Sequence, residues 1–334
     1  MDSYLTVVSG ENLSLSQAEL ESLVKMVDSS ARVKWRGTIG IVDASRDPCD
    51  IILRRAVLVK ECGRIVADGQ TIDDSLRVEP EDVVSSNETF CVRCLAPSDY
   101  EQKKRMETDA GARVEKWTGA RVSLKSPDVR LVLFKLEDRT VLCKSVVSDA
   151  RLRAIARGSR RKPFFHPSMM NAPLAGVLCN LAQITSNDVV LDPFCGGGGI
   201  VCEAAIIGAT TVGIDLNWKL VQGAVSNLEQ FGGNNSCVVL GDARSLPIDH
   251  FDCVVSDPPY GRVSSTRGAQ SVDLVRSMLN QAVEMASSGA RFCICGAREM
   301  NVSQVMNELG LDVVRSVSIR VHRSLTRDIV VARH

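Results

Sequence analysis

From Asp188 onward the apolar positions alternate between short runs and helically spaced segments. Val189-Val190-Leu191 is a short apolar run, a glycine-rich turn follows it, and Ile200 to Ile207 carries the periodicity of a helix. The alternation then repeats, with a strand at Thr211 to Ile214, a helix at Trp218 to Phe231, and strands at Cys237 to Leu240 and Asp252 to Ser256. A helix near Val272 to Ala286, a strand at Arg291 to Cys295 and a helix near Val302 to Leu309 come next. Two strands, around Val313 to Val321 and Asp328 to Ala332, close the chain. Strands alternating with helices imply right-handed crossovers and a mostly parallel, doubly wound α/β sheet. The last two strands are expected to form an antiparallel edge pair.

Residues 1–150 are less rhythmic. β-rich runs at Tyr4 to Val8, Ile51 to Val59, Val129 to Phe134 and Thr140 to Cys143 are interspersed with helical stretches such as Leu15 to Val27, the pattern of an α+β unit. The basic stretch from about Ser148 to Pro163 is the expected connection. The predicted division is therefore residues 1–150, a linker at 151–163, and an α/β domain at 164–334. A chain of 334 residues that is 45% hydrophobic has enough material for two packed cores.

Net charge is zero, with 40 basic and 40 acidic residues, so overall composition says nothing for nucleic acid. Distribution says more. Residues 1–150 carry 22 basic and 25 acidic side chains, which leaves 18 and 15 for residues 151–334. Much of that excess is one cluster without an acid: Arg151, Arg153, Arg157, Arg160, Arg161 and Lys162. Such a cluster can neutralise phosphates, although on its own it reads first as a solvated linker or helix face. The 12 cysteines are scattered through apolar runs such as Phe292-Cys293-Ile294-Cys295, where thiols act as small hydrophobes and are expected to be reduced. Cys91 and Cys94 have the spacing of half a zinc site, but no second pair completes four ligands, so no metal is assigned. The opening MDSYLTVVSG lacks the pattern of a secretory leader, and no stretch approaches the ~20 apolar residues that span a bilayer. A cytoplasmic chain without a membrane partner is expected.

Candidate chemistry sits at the predicted strand ends. In Asp192-Pro193-Phe194-Cys195-Gly196-Gly197-Gly198-Gly199 a strand runs through glycines into a helix, and glycines let a ligand approach the backbone. Alone this is a weak signal, shared with dinucleotide sites and plain tight turns. Asp215 ends the next strand, 23 residues after Asp192, where a carboxylate can accept hydrogen bonds from two ribose hydroxyls. Asp242 follows the third strand in Gly241-Asp242-Ala243, placed to touch an adenine ring. Ser256-Asp257-Pro258-Pro259-Tyr260-Gly261 ends the fourth. An exocyclic amine on a purine has a delocalised lone pair and needs acceptors that favour pyramidal nitrogen. Asp257 and a prolyl carbonyl can supply them from a turn that Pro258 and Pro259 make rigid. Tyr260 can stack on a base turned out of its helix. Methyl transfer needs in-line positioning and no metal or covalent nucleophile.

Together, Asp192-Pro-Phe-Cys-Gly and Asp257-Pro-Pro-Tyr resemble the methyltransferases that modify exocyclic amines of bases. Pro163-Phe164-Phe165-His166-Pro167 and His322-Arg323-Ser324-Leu325-Thr326-Arg327 narrow the resemblance to the archaeal tRNA guanosine N2-methyltransferase family, which acts at position ten. Val122-Ser123-Leu124-Lys125-Ser126-Pro127-Asp128-Val129 resembles the signature of the THUMP domain, an RNA-binding module preceded in that family by a ferredoxin-like segment. One departure is Gly197, where the family often has threonine.

The resemblance implies a Rossmann-like domain that uses S-adenosylmethionine to methylate the N2 amine of a tRNA guanosine, once or twice. It implies a cofactor pocket of His166, Asp192, Phe194, Gly196, Gly198, Asp215, Asp242 and Ala243, with His166 at its methionine end. It also implies an N-terminal unit that grips the tRNA acceptor end, and it turns Arg157, Arg160, Arg161 and Lys162, with Lys125, into candidate RNA contacts. A monomeric catalytic chain is expected, and the need for a small activating subunit stays open. The rival readings are a sister enzyme acting at tRNA position six, a DNA amino-methyltransferase, and an inactive RNA-binding or partner protein that kept the fold.

Overall fold

Short apolar runs become strands on both sides of residue 150, and they gather into two separate sheets. The computed structural model describes residues 1–71, 74, 78–95, 99–135, 139–158, 161–231, 235–260, 271–323 and 325–334. The first compact unit takes in Met1–Gly10, Val24–Arg54 and Val59–Asp149; the second takes in Glu11–Leu23, Arg55–Leu58 and Ala150–His334.

In the first unit the strands are β1 (Asp2–Val8), β2 (Arg32–Arg36), β3 (Ile39–Ala44), β4 (Val59–Gly69), β5 (Thr89–Cys94), β6 (Arg121–Val122), β7 (Val129–Lys135) and β8 (Thr140–Val147). They form one sheet in the order β2-β3-β1-β4-β8-β7-β5-β6. Neighbours are antiparallel except that β5 runs parallel to both β7 and β6. Helices α1 (Leu13–Val27), α2 (Cys49–Arg55), α3 (Pro80–Val83) and α4 (Tyr100–Thr118) interrupt the strands. Asp99 caps α4 by accepting the Glu101 and Gln102 N–H groups, and Gly119 ends it at φ 74°. The helix buries Ala110 and Val114 against Phe90, Leu131 and Leu142. Lys125 is exposed after β6.

The apolar run Ile51 to Val59 corrects the sequence reading, because it does not form one strand. Residues Cys49–Arg55 are helical. Asp47 accepts the Cys49 N–H at 2.8 Å and the Pro48 carbonyl accepts the Ile52 N–H at 3.1 Å, so the chain before the run sets up a helix start. Extended backbone begins at Val59. The spacing of Cys91 and Cys94 also loses its meaning as a metal half-site: both lie in β5, where residues three apart face opposite sides of a sheet.

The second unit adds helices α5 (Ala150–Ala156), α6 (Ala172–Leu181), α7 (Gly199–Ile207), α8 (Trp218–Gln230), α9 (Ser271–Met285) and α10 (Val302–Glu308). Its strands are β9 (Val189–Asp192), β10 (Thr210–Asp215), β11 (Ser236–Leu240), β12 (Cys253–Ser256), β13 (Arg291–Ala297), β14 (Asp312–His322) and β15 (Leu325–Arg333). Sheet order is β11-β10-β9-β12-β13-β15-β14, parallel from β11 to β13. The expected terminal pair is present, with β15 antiparallel to both β13 and β14. Its second strand lies inside and its first forms the rim. Ile329 to Ala332 are buried on both faces, whereas β14 is largely exposed, so the more apolar strand takes the interior place. The same rule explains the continuous apolar runs: Val190, Val255, Cys293 and Ile329 enter one core, while Leu191, Val254, Phe292 and Val330 enter the other.

The stretch 151–163 is not a free linker. Ala154 is buried in the core with Leu178 and Val190, and Arg157 makes a two-pronged ion pair with Glu203, Nε at 3.0 Å and Nη2 at 2.7 Å. Two pieces of the first 150 residues also belong to the second unit. Buried Glu19 accepts the Val57 and Leu58 N–H groups at 2.9 and 2.7 Å and the Asn180 amide at 2.8 Å. These bonds offset the burial that pushes its carboxyl above the ordinary range.

Candidate active site

Because β11, β10, β9 and β12 are parallel neighbours, Asp242, Asp215, Asp192 and Asp257 all emerge at one edge of the sheet. That carboxyl-end edge is where open α/β sheets bind ligands. Asp192 is 1% exposed. It accepts the Ser256 hydroxyl at 2.6 Å and the Phe194 N–H at 3.2 Å. Burial pushes its carboxyl up to about 7, the two hydrogen bonds oppose this, and the charges of Asp257 and Asp215 push further in the same direction. The Asp257 elbow and the glycine loop therefore feel each other's charge.

Gly196 adopts φ 53° and donates its N–H to Asp215 at 3.0 Å. Gly198, at φ 85°, heads α7, and a Cβ there would meet Ala224 at 3.1 Å. Both positions favour glycine for their conformation, and Gly198 for closeness as well. Phe194 is half-buried against the core that contains Leu191 and Ile214. The Asp215 carboxylate also accepts the Asn217 N–H at 2.8 Å; burial raises its pKa, while the backbone donors and the His166 charge lower it. His166 is exposed, shares a 2.7 Å hydrogen bond with Ser168, and is felt electrostatically at Asp215, the acid expected on the ribose. Arg244 holds Asp242 through its guanidinium, Nε to Oδ1 at 3.0 Å and Nη2 to Oδ2 at 2.6 Å, which keeps that acid below its ordinary range. Ala243 is buried beside it, so what it can offer a ligand is backbone.

Asp257 retains 15% side-chain exposure. Its Oδ1 accepts the Tyr260 hydroxyl, and its Oδ2 lies 3.7 Å from Arg327 Nη1. Burial raises its pKa and Arg327 opposes that rise. Pro258 is buried and Pro259 half-buried, consistent with a rigid turn. The Tyr260 ring is not bare on both faces, because the Arg327 guanidinium sits 5.0 Å from its centroid. The ring also packs against the core that contains Leu191 and Ile294. Gly261 lies outside the described residues.

Among the candidate RNA contacts, Lys125 and Arg161 are exposed. Arg160 lies outside the described residues. The other two are corrected by the structure. Arg157 is committed to Glu203, and Lys162 is 7% exposed with its Nζ 5.7 Å from the Phe231 ring centroid, so neither is presented to solvent as a free cation.

Three residues of the site had no role in the sequence reading. Ser256 ties β12 to β9 through Asp192. Asn227, fully buried in α8, accepts the Phe164 N–H at 3.0 Å and donates to the carbonyls of Phe164 and Gly197 at 3.1 and 2.8 Å. It thus fastens the segment before α6 to the glycine loop. Arg327 stood in a quoted motif, but nothing local in the sequence placed it on Asp257, 70 residues earlier.

Residues 159–329 match a family described as RMKL-like, methyltransferase domain (UPF0020). The chain is 30% identical over 329 residues, 97% of each chain, to a tRNA (guanine(10)-N2)-dimethyltransferase of Methanothermobacter thermautotrophicus. It is 25% identical, again over 97% of each, to the protein of the same name from Methanocaldococcus jannaschii. The crystal structure of TrmN from Thermus thermophilus superposes with a TM-score of 0.54 at 18% identity, covering 99% of this chain and 100% of that one, a likeness of fold.

Proposed function

This chain belongs to the tRNA (guanine(10)-N2)-dimethyltransferase family, and we propose that it methylates the exocyclic N2 amine of the guanosine at position ten of tRNA, with S-adenosylmethionine as donor. The observation that carries the reading is the placement of Asp257, nearly buried, at the same sheet edge as the Asp192 loop and Asp215.

The residues fit that cofactor. The glycine cradle at Gly196 and Gly198 leaves no side chain between backbone and ligand, and Asp215 offers carboxylate lone pairs suited to ribose hydroxyls. Asp242 and the backbone of Ala243 would border the adenine, with His166 and Phe194 lining the pocket. When bound, the cofactor supplies an electrophilic methyl group on a sulfonium. The chain supplies the rest. Asp257 and a carbonyl of the diproline turn accept the amine's N–H bonds, which localises the nitrogen lone pair and stabilises the positive charge that grows there. Because these acceptors are set in place beforehand, little reorganisation is needed during the reaction. The Asp257 carboxylate is the nearest base for the proton that the nitrogen releases. After one methylation the nitrogen keeps one N–H, so one of these acceptors serves a second transfer. The first unit acts as the THUMP-type module that grips the tRNA, with Lys125 there and Arg161 in the second unit contacting phosphate. The setting is the cytoplasm.

The test is the purified chain with unmodified tRNA, duplex DNA and labelled donor, with modified nucleosides mapped to position by mass spectrometry. N2-methyl and N2,N2-dimethylguanosine at position ten are expected; label confined to DNA or to position six overturns the reading. Asp257→Ala should lower the rate at least about 100-fold, the scale of losing a key electrostatic stabiliser, and leave S-adenosylhomocysteine binding nearly unchanged.

A further inference from the structure

Arg327 lies on β15, the antiparallel strand inserted next to β13, with its Cα opposite Ala297 in the register. It is the cation beside Asp257 and also the one over Tyr260. Its Nε is buried without a hydrogen-bond partner among the described residues. Elsewhere in this unit Arg157 grips Glu203 with two nitrogens, and Arg291 reaches Asp188 at 2.7 Å and the Gln183 carbonyl at 2.7 Å. A buried guanidinium edge without a structural partner is costly and calls for another explanation.

We propose that Arg327 is a positioning residue for Asp257, bracing the Tyr260 ring and leaving one carboxylate oxygen charged, aimed and open for the target amine. The geometry divides the labour between the two oxygens. Oδ1 is anchored by the Tyr260 hydroxyl. Oδ2 faces Arg327 Nη1 at 3.7 Å, too long for a hydrogen bond yet close enough for a strong charge interaction, so it keeps lone pairs for a substrate N–H. A protonated carboxyl would turn an O–H toward the amine and lose acceptor strength. Nearly buried as it is, Asp257 needs an adjacent cation to stay ionised. Among the described residues, the titratable groups facing it are Arg327, the Tyr260 hydroxyl and the Cys295 thiol, with Asp192 behind, and Arg327 is the cation of that set. The guanidinium over Tyr260 also fixes the ring, which packs against the apolar core that contains Ile294 and Val330.

This inference rests on the proposed use of Asp257 in amine methylation. Its test compares Arg327→Gln, Arg327→Lys and Asp257→Asn in the full chain, measuring kcat and KM for tRNA across pH, S-adenosylhomocysteine affinity by calorimetry, and thermal midpoint. Arg327→Gln is expected to lower kcat about tenfold or more with cofactor affinity within about twofold, the mark of an interaction made in the transition state. Its acidic limb of kcat should move up by about one pH unit, because Asp257 then protonates more readily. Arg327→Lys should restore the limb, since it restores the charge, while recovering only part of the rate. An unmoved acidic limb in Arg327→Gln overturns the inference. So does a rise in KM alone, or a loss of cofactor affinity and thermal midpoint that lysine does not repair. If Asp257→Asn is inactive while Arg327→Gln behaves as wild type, only the inference falls; if Asp257→Asn is fully active, the proposed use of Asp257 falls with it.

Discussion

The hydroxyl of Ser256 donates to the buried carboxylate of Asp192 at 2.6 Å, joining the last residue of β12 to the last residue of β9. The next residue after Ser256 is Asp257, so one hydrogen bond sets the Asp257 elbow against the strand that opens the glycine loop. Burial and neighbouring acids push Asp192 up to about 7 despite that bond.

The elevated Asp192 pKa has a sign that can be measured. A carboxyl raised in the folded state from 3.8 to about 7 contributes stability that is full below about pH 4 and is lost as pH rises through about 7. Asp192→Asn removes that dependence and keeps an acceptor for Ser256. Relative to wild type, the variant should therefore gain stability, by on the order of a few kcal/mol, between pH 4 and 7, and the gain should level off above. Thermal midpoints of both proteins across this range provide the check; a constant difference rejects it.

Gly223 tests the packing of the segment before α6. Replacing a glycine inside a helix by alanine ordinarily stabilises by about 1 kcal/mol. Here the added Cβ would fall 2.2 Å from Cδ1 of the Phe164 ring, which Asn227 holds by its backbone. Gly223→Ala should lower the thermal midpoint and weaken S-adenosylhomocysteine binding instead. A stabilised variant would show that Phe164 is not seated there.

At position 197, where the family often has threonine, glycine leaves room that Met169 fills: a Cβ would come within 2.4 Å of its sulfur. Gly197→Thr alone should weaken cofactor binding severalfold. Combined with Met169→Ala it should regain most of the loss, a coupling of about 1 kcal/mol in a double-mutant cycle. Additive effects would show the two residues to be independent.

Arg157 and Arg161 belong to the same basic cluster yet should respond differently. Arg157→Ala strands the buried Glu203 carboxylate and should cost about 3 kcal/mol of stability, read as a lower urea midpoint. Exposed Arg161→Ala should leave stability unchanged, weaken tRNA binding and reduce the salt slope of affinity by about 1. Unaltered RNA affinity in the second variant would return the cluster to a solvated surface.

Much of the second unit was legible in the sequence. Predicted and observed elements agree within a residue or two from Val189 to His322, and the last strand starts three residues before the predicted Asp328, because strands buried on both faces read as unbroken apolar runs and the helices between them keep their own period. The acids at the strand ends were legible for the same reason, since a motif at a turn is read from its neighbours. The first unit was less so. Its run Ile51 to Val59 is apolar enough for a strand, and only the Asp47 and Pro48 contacts at its start decide for helix.

By itself, then, the chain's order of residues determined the alternation of elements, the doubly wound sheet and the acids along its carboxyl edge, all of which follow from periodicity and turn chemistry within about 20 residues. Tertiary structure alone decided the partners of the long and buried side chains. It turned Lys162 inward onto Phe231, gave Arg157 to Glu203, tied Glu19 to Asn180, and set Arg327 beside Asp257. Charged groups find partners through space, at distances the backbone makes short only after the sheet is assembled, and nothing in the local pattern of the chain encodes that closeness.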